Sequence, residues 1–113
     1  MDTYQHAHCE ACRVGAPQIH ESELDAFLQS TAWQLESDMD IRKLVQVFTF
    51  KNFVDALAFA NAVGALAEQE NHHPALLVEW GRVTVHWWTH KIRGLHKNDL
   101  ICAAKTDALF AKV

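Results

Sequence analysis

This chain of 113 residues contains few of the residues that interrupt or cross-link a polypeptide. It has only four glycines, two prolines and three cysteines. The glycines form no phosphate-binding loop, and the sequence contains no serine nucleophile elbow. Three cysteines are too few, and odd in number, for a disulfide framework, which favours a reducing compartment.

Long apolar runs and an excess of positive charge are also missing. No run approaches the roughly 20 residues of a membrane helix, and residues 1–12 lack the apolar stretch of a secretory signal. We therefore expect a cytoplasmic protein without a membrane partner. Ten Lys and Arg residues against 14 Asp and Glu residues give a net charge of −4. This balance disfavours a general polyanion binder, so we expect no nucleic-acid partner.

Hydrophobic residues, by contrast, make up half of the chain, which suffices for one compact core. Residues 1–20 show no sustained period and are predicted to form a flexible N-terminal arm. Residues 21–113 are predicted to form the domain. Eight histidines and four tryptophans are many for this length and are the first indication of chemistry.

Hydrophobic periodicity predicts three helices and four strands in the domain. The first helix is expected to start near Ser22, with Ser22 and Asp25 as a capping pair. The remaining elements are strands over 33–35 and 43–50, a helix over 52–70 capped by Asn52, strands over 76–80 and 83–90 around a turn at Gly81 and Arg82, and a helix over 96–111. Gln46 interrupts the alternation of apolar residues in the second strand, so the pattern does not show which face of the sheet its side chain occupies. The order α-β-β-α-β-β-α with short turns predicts an α+β fold, with a four-stranded antiparallel sheet and the helices on one face.

The densest polar segment is Glu68 to Pro74, at the predicted end of the second helix. Neighbouring His72 and His73 point in different directions, and Pro74 biases His73 towards an extended backbone. His90 ends a strand one hairpin later, so the three imidazoles converge if this loop lies at the end of the sheet. Imidazoles both donate and accept protons near neutral pH. Trp88 is expected to wall a flat ligand by stacking, and Glu68 either orients a histidine or is merely solvated.

Metal binding is the main alternative for these histidines and for the arm. Three histidines can hold zinc in an open site, although adjacent histidines without helical i, i+4 spacing are not a specific signature. In the arm, His6, His8, Cys9 and Cys12 place four potential ligands within seven residues, and no second cysteine pair follows. The predicted site is metal-free, and a metal-binding arm stays open as a separate hypothesis.

Several motifs together resemble the pterin-4a-carbinolamine dehydratase family, in its bacterial type associated with phenylalanine hydroxylase. The motifs are Glu70-Asn71-His72-His73-Pro74, Val83-Thr84-Val85 leading to Trp88-Thr89-His90, Gly94-Leu95, Asn98-Asp99, and the junction Phe48-Thr49-Phe50-Lys51-Asn52-Phe53. Trp33 matches an early tryptophan of the family, and residues 7–13 resemble the start of those bacterial members. In addition to the arm, the resemblance covers roughly residues 20–110.

The resemblance implies a four-stranded antiparallel sheet with three helices on one face. It also implies a lyase that dehydrates 4a-hydroxytetrahydrobiopterin to quinonoid dihydropterin, recycling the pterin of aromatic amino acid hydroxylation without a metal or organic cofactor. His72, His73 and His90 would be the catalytic residues. Pro74, Thr89, Lys91 and Ile92 would lie beside the pterin. Glu68 and Trp88, which the residue pattern places near the histidines, complete the predicted substrate-binding residues.

The family also implies a homodimer or homotetramer, a link to phenylalanine hydroxylase, and a rival role as a protein-binding dimerisation cofactor of transcription. Three positions depart from its pattern, and the first is Ile92, where members often have cysteine or another small residue. Arg93 stands where many members have glycine, and His96 replaces the usual threonine before the last helix, where it is expected to cap less well.

Overall fold

The computed structural model describes residues 2–10 and 13–113. The helices in this part of the chain are α1 (Asp2–His6), α2 (Glu21–Ser30), α3 (Phe53–Glu70) and α4 (Lys97–Phe110). The strands are β1 (Gln34–Asp38), β2 (Ile41–Thr49), β3 (Ala75–Glu79) and β4 (Arg82–Trp87), and a short 3-10 helix covers His90–Ile92. None of the helices described is long and apolar enough to cross a bilayer.

The four strands form one antiparallel sheet in the order β1-β2-β4-β3, which confirms the predicted α+β class. Leu44 lies opposite Trp87, and Phe48 lies opposite Val83, in the pairing of β2 with β4. All four side chains are buried, together with apolar residues of α2, α3 and α4. The inward face of the two central strands is therefore the floor of the hydrophobic core.

Gln46, whose face the sequence left open, points towards α4. Its Nε2 donates to Oδ1 of Asp107 at 2.9 Å, and Trp33 Nε1 donates to Oδ2 of the same carboxylate at 3.0 Å. Burial raises the pKa of Asp107, and these two hydrogen bonds offset part of that rise. The carboxylate thereby fastens the C-terminal half of α4 to β2 and to the residue before β1.

Several predicted boundaries differ from the structure. β1 runs to Asp38 and turns at Met39 and Asp40, both with left-handed backbone, so the predicted strand was too short. The turn before β4 lies at Trp80 and Gly81, one residue earlier than predicted. Strand β4 ends at Trp87 because Thr89 pairs with Gly94 instead of with a neighbouring strand.

The predicted start of the first helix was also wrong. Helix α2 begins at Glu21, and His20 occupies the N-cap position without a side-chain cap. Ser22 therefore lies inside the first turn, where its hydroxyl does not cap the helix.

The segment before α2 contains a helix that the sequence did not predict. Helix α1 is only five residues long, too short to show a period, and it lies against α4. Tyr4 packs edge-on against Phe27 with ring centroids 5.7 Å apart, and Lys105 Nζ donates to the carbonyl of Gln5 at 3.0 Å. The described residues of the expected arm thus contact the domain, while the boundary at residue 21 stays a prediction.

Helix α3 follows the prediction closely. It spans Phe53–Glu70, and the Asn52 side chain accepts a hydrogen bond from the main-chain N–H of Asp55 at 2.8 Å. This cap satisfies one of the N–H groups that a helix start leaves without a partner. The helix is the longest element and carries the candidate site at its far end.

Replacing Asn52 by alanine should lower the free energy of unfolding by about 1 kcal/mol, because the N–H of Asp55 loses its acceptor. Urea denaturation of Asn52→Ala measures this loss. Asn52→Ser is the matched control, since its hydroxyl can still accept the bond and should retain most of the stability. An equal loss in both variants would contradict the assigned cap.

Candidate active site

A cavity of about 320 Å³ opens at the end of the sheet, beside the C-terminal end of α3. It is lined by residues from the loop after α3 and from the segment after β4, namely Asn71, His72, His73, Thr89, His90 and Lys91. The structure therefore brings the three predicted histidines together. Small-molecule sites typically begin at about this volume.

A helix cap precedes the two neighbouring histidines, whose side chains differ greatly in exposure. Asn71 adopts a left-handed backbone with a φ of 53° and ends α3, a conformation that asparagine tolerates better than most residues. The main-chain N–H of His72 then donates to the carbonyl of Ala67 at 3.1 Å. After this reversal the His72 side chain is 4% exposed and the His73 side chain 55% exposed.

His72 is held by a buried carboxylate. Its Nε2 lies 2.7 Å from Oδ1 of Asp99, which is fully buried. Oδ2 of Asp99 accepts from the Thr89 hydroxyl at 2.7 Å and from the main-chain N–H of His96 at 2.9 Å. Because the carboxylate already accepts these two bonds, Nε2 of His72 is assigned as the donor, and in the neutral ring Nδ1 then carries the lone pair.

An aromatic ring fixes the remaining freedom of His72. The imidazole stacks on Trp87 with a centroid distance of 5.7 Å and an interplanar angle of 5°. Trp87 is itself anchored, since its Nε1 donates to the Thr106 hydroxyl at 3.1 Å. The ring of His72 is thus oriented by a carboxylate at one edge and by an indole against its face.

The other two histidines are more exposed and have different neighbours. His73 Nε2 lies 2.5 Å from Oε2 of Glu68, which is five residues earlier, in the last turn of α3. His90 packs on Trp88 with centroids 4.4 Å apart, and Lys43 Nζ lies 4.1 Å from the centre of the Trp88 ring. Two of the three imidazoles therefore have a carboxylate partner, and the third rests on an indole.

Four predicted site residues do not line the cavity. The Trp88 ring packs against His90 and lies under the Lys43 ammonium group. Glu68 reaches the site only through His73. Pro74 and Ile92, which are half-buried, follow cavity residues in the chain. Their roles stay predictions, as do those of the residues that line the cavity.

Asp99 and Asn71 were missed as site residues. Both occur in the family motifs quoted above, and Asp99 lies in the first turn of α4. It completes a capping box with His96, whose Nδ1 accepts from the N–H of Asn98 at 3.0 Å. His96 therefore caps α4 through its ring. That it caps less well than threonine stays a prediction. No sequence signal showed that the second oxygen of Asp99 reaches His72.

Arg93, which stands where many family members have glycine, has a strained backbone conformation. Its φ of 50° lies in the left-handed region, where glycine is favoured. The loop is closed by mutual main-chain hydrogen bonds between Thr89 and Gly94, at 2.8 and 3.3 Å. Because Thr89 also donates to Asp99, closing this loop helps to fix the carboxylate that holds His72.

A second buried carboxylate, Glu70, lies behind the site at the last position of α3. Oε1 accepts from the main-chain N–H of Cys9 at 2.8 Å, and Oε2 lies 3.1 Å from Nδ1 of His8 and 3.8 Å from Nζ of Lys105. Burial by itself would raise the pKa of Glu70. The hydrogen bonds from Cys9 and His8 and the charge of Lys105 outweigh it, so the pKa lies below its ordinary value.

The proposed metal ligands of the arm do not gather in the part of the chain that the structure describes. Among residues 2–10 and 13–113, no group of three or more His, Cys, Asp or Glu side chains is placed to hold a metal ion. Cys12 lies outside the described residues. Cys9 is a free thiol whose Sγ lies 3.4 Å from Sγ of the buried thiol Cys102, and this hydrogen bond, together with burial, raises the pKa of Cys102.

Fold and site together define a small α+β protein that encloses three histidines at the end of an antiparallel sheet. The family model described as pterin 4 alpha carbinolamine dehydratase matches residues 17–109. The chain belongs to this family, whose members are dehydratases and hence lyases.

Curated relatives resemble the chain over almost its whole length. A protein of Syntrophotalea carbinolica, provisionally named pterin-4-alpha-carbinolamine dehydratase, is 53% identical over 96% of this chain and 98% of its own. A protein of Saccharophagus degradans with the same name is 50% identical over 96% of both chains. The similarity therefore includes the arm, which lies largely outside the family model.

Solved structures resemble the fold as well. A transcriptional coactivator/pterin dehydratase from Brucella melitensis has a TM-score of 0.73 and 29% identity, over 82% of this chain and 98% of its own. A pterin dehydratase-like protein described as a RuBisCO assembly factor in the alpha-carboxysome has a TM-score of 0.59 and 24% identity, over 69% of this chain and 88% of its own. The second likeness concerns the fold alone.

The lowered pKa of Glu70 predicts a pH-dependent stability. The ionised carboxylate stabilises the folded protein fully above its unfolded pKa of about 4.3, and this contribution is lost as the pH falls through the lower folded value. The free energy of unfolding of the wild type should therefore exceed that of Glu70→Gln at neutral pH, and the difference should shrink below about pH 4.3. Urea denaturation of both proteins between pH 3 and 7 checks this, and a difference independent of pH would refute it.

Proposed function

We propose that the protein dehydrates 4a-hydroxytetrahydrobiopterin to quinonoid dihydropterin by histidine acid–base catalysis. The observation that carries the proposal is the convergence of His72, His73 and His90 on one cavity, in a chain that belongs to the dehydratase family. The substrate is a bicyclic heterocycle that carries several proton donors and acceptors, which suits a cavity lined by imidazoles. The pterin is the substrate, and the proposed reaction uses no further cofactor.

The reaction breaks the bond between C4a and its hydroxyl group and forms a double bond between C4a and N5. One imidazolium protonates the departing hydroxyl, which leaves as water, and a neutral base accepts the proton of N5. General acid–base catalysis of this kind contributes about 10²–10⁴-fold per group.

His72 is the best-positioned residue for the main acid–base role. Its ring is oriented by Asp99 and Trp87, so little reorganisation is needed when a proton moves. His90, which lines the cavity from the segment after β4, supplies the second proton-transfer group. His73, paired with Glu68 and exposed, positions the pterin, and the neighbouring Lys91 lines the same cavity.

The same proposal includes the protein's place in metabolism. Dehydration of the carbinolamine regenerates a pterin that a reductase can return to an aromatic amino acid hydroxylase, so we propose a functional link to phenylalanine hydroxylase in the cytoplasm. The resemblance of the arm to hydroxylase-associated bacterial members supports this link.

Exchange of His72 for alanine should lower kcat for dehydration of the 4a-carbinolamine by about 10²-fold or more, because the oriented proton-transfer group is lost. His90→Ala should lower kcat as well, whereas His73→Ala should mainly raise KM. Turnover of enzymatically generated 4a-hydroxytetrahydropterin measures these constants. His86→Ala is the matched control, since His86 pairs with Glu36 away from the cavity. Wild-type turnover in both His72→Ala and His90→Ala would reject the assignment.

A second candidate function rests on the exposed side of α3. Phe53, Val54 and Leu57 lie on this helix with 43%, 73% and 42% of their surface exposed, although all three are apolar. Apolar residues grouped on an exposed helix are typical of a protein contact surface. We propose that α3 mediates homodimer or homotetramer formation and, by the same face, contact with a regulatory protein partner.

Introducing a charge into this face tests the second function separately. Val54→Asp should shift the protein to a smaller assembly in size-exclusion chromatography with light scattering, because the carboxylate would be buried unpaired in the contact. Lys51→Asp, an exposed change just before the helix, is the control for added negative charge. A monomeric wild type, or a Val54→Asp protein with wild-type assembly, would exclude α3 as the oligomer interface.

A further inference from the structure

Residues 8–10 bridge the two elements that carry the His72–Asp99 pair. His72 follows α3, and Asp99 lies in the first turn of α4, so their contact joins two helix ends. Glu70, two residues before His72, and Asn98, the residue before Asp99, are both almost fully buried. Each of them is in turn held by the N-terminal segment.

The first attachment is made at the end of α3. The main-chain N–H of Cys9 donates to Oε1 of Glu70 at 2.8 Å, and the His8 ring lies 3.1 Å from Oε2. Glu70 is two residues before His72 and directly precedes the left-handed Asn71. The position of the Glu70 carboxylate therefore influences the direction in which the backbone leaves α3 and leads to His72.

The second attachment is made at the start of α4. The main-chain N–H of Glu10 donates to Oδ1 of Asn98 at 3.1 Å, and Nδ2 of Asn98 donates back to the carbonyl of Glu10 at 2.8 Å. The Glu10 side chain also lies 3.1 Å from Nε2 of His96, whose main-chain N–H donates to Asp99. The Cys9 thiol contacts Cys102 one turn further along the helix.

We infer that residues 8–10 are a positioning element for the site: by holding Glu70 and Asn98 at once, they fix the distance between His72 and Asp99. The bridge differs from general packing because its hydrogen bonds end on the residues flanking the pair. It is also an addition to the family domain, since the family model begins only at residue 17. The inference rests on the proposed function of His72, which it extends to a part of the chain outside the cavity.

Removing the Cys9 N–H tests the bridge without touching the cavity. In the full-length protein, Cys9→Pro deletes the donor to Glu70, whereas Cys9→Ala keeps it and deletes only the thiol. We expect Cys9→Pro to lower kcat about 10-fold to 100-fold with little change in KM, as for a misplaced catalytic group. Cys9→Ala should stay within about twofold of the wild type, since the N–H that holds Glu70 is intact.

A second pair of variants covers the case in which Cys9→Pro fails to fold. Glu70→Ala removes the acceptor of the Cys9 N–H, and Glu70→Gln restores an acceptor oxygen at the same place. The loss of kcat in Glu70→Ala should be largely rescued in Glu70→Gln. Gln69→Ala, an exposed neighbour on α3, is the control and should behave as the wild type.

Nuclear magnetic resonance of the histidine side chains separates this inference from the proposed function. The Nε2–H proton of His72, hydrogen-bonded to Asp99, should give a signal protected from water exchange in the wild type and in Cys9→Ala. It should exchange faster in Cys9→Pro and Glu70→Ala. An inactive wild type with this pattern would reject the proposed reaction and keep the bridge. An unchanged His72 signal and unchanged kcat in Cys9→Pro and in Glu70→Ala would overturn the inference.

Discussion

The site depends on the hydrogen bonds that the buried carboxylate of Asp99 accepts. An ionised group with no exposed surface is costly unless hydrogen bonds replace the water that it has lost. Here three donors do so: the His72 ring, the Thr89 hydroxyl and the main-chain N–H of His96. These donors come from the loop after α3, the segment after β4 and the start of α4. Satisfying one charge therefore brings three separate parts of the chain to the same point.

The same requirement divides the cavity into a rigid and an open side. His72 is enclosed between Asp99 and Trp87, while His73 and His90 face solvent on side-chain supports of their own. The proposed reaction would benefit from this division, because the oriented ring needs little reorganisation and the open side admits the substrate. The central strands contribute by holding Trp87 in the core, so that the hydrophobic packing of the sheet also sets the orientation of the imidazole.

Patterns of local origin were predicted well. Helix α3 and its Asn52 cap follow from periodicity and from one side chain next to the helix start. Val83, Val85 and Trp87 alternate along β4 and form its buried face. Errors occurred where a distant contact overrides local preference. Helix α1 is stabilised by contacts with α4, and β4 stops early because Thr89 pairs across a loop with Gly94. His96 caps α4 through local hydrogen bonds, although histidine is not a common cap.

The sequence by itself determined the α+β order, the antiparallel sheet and the three histidines as a group, because these depend on residue periodicity, turn residues and a short motif. Only the tertiary structure decided that Asp99 holds His72, that Trp88 packs on His90, and that residues 8–10 reach Glu70 and Asn98. The physical reason is that each of these contacts joins residues far apart in the chain or depends on where a backbone turns. A buried polar group chooses its partners from whatever the folded chain brings within hydrogen-bond distance.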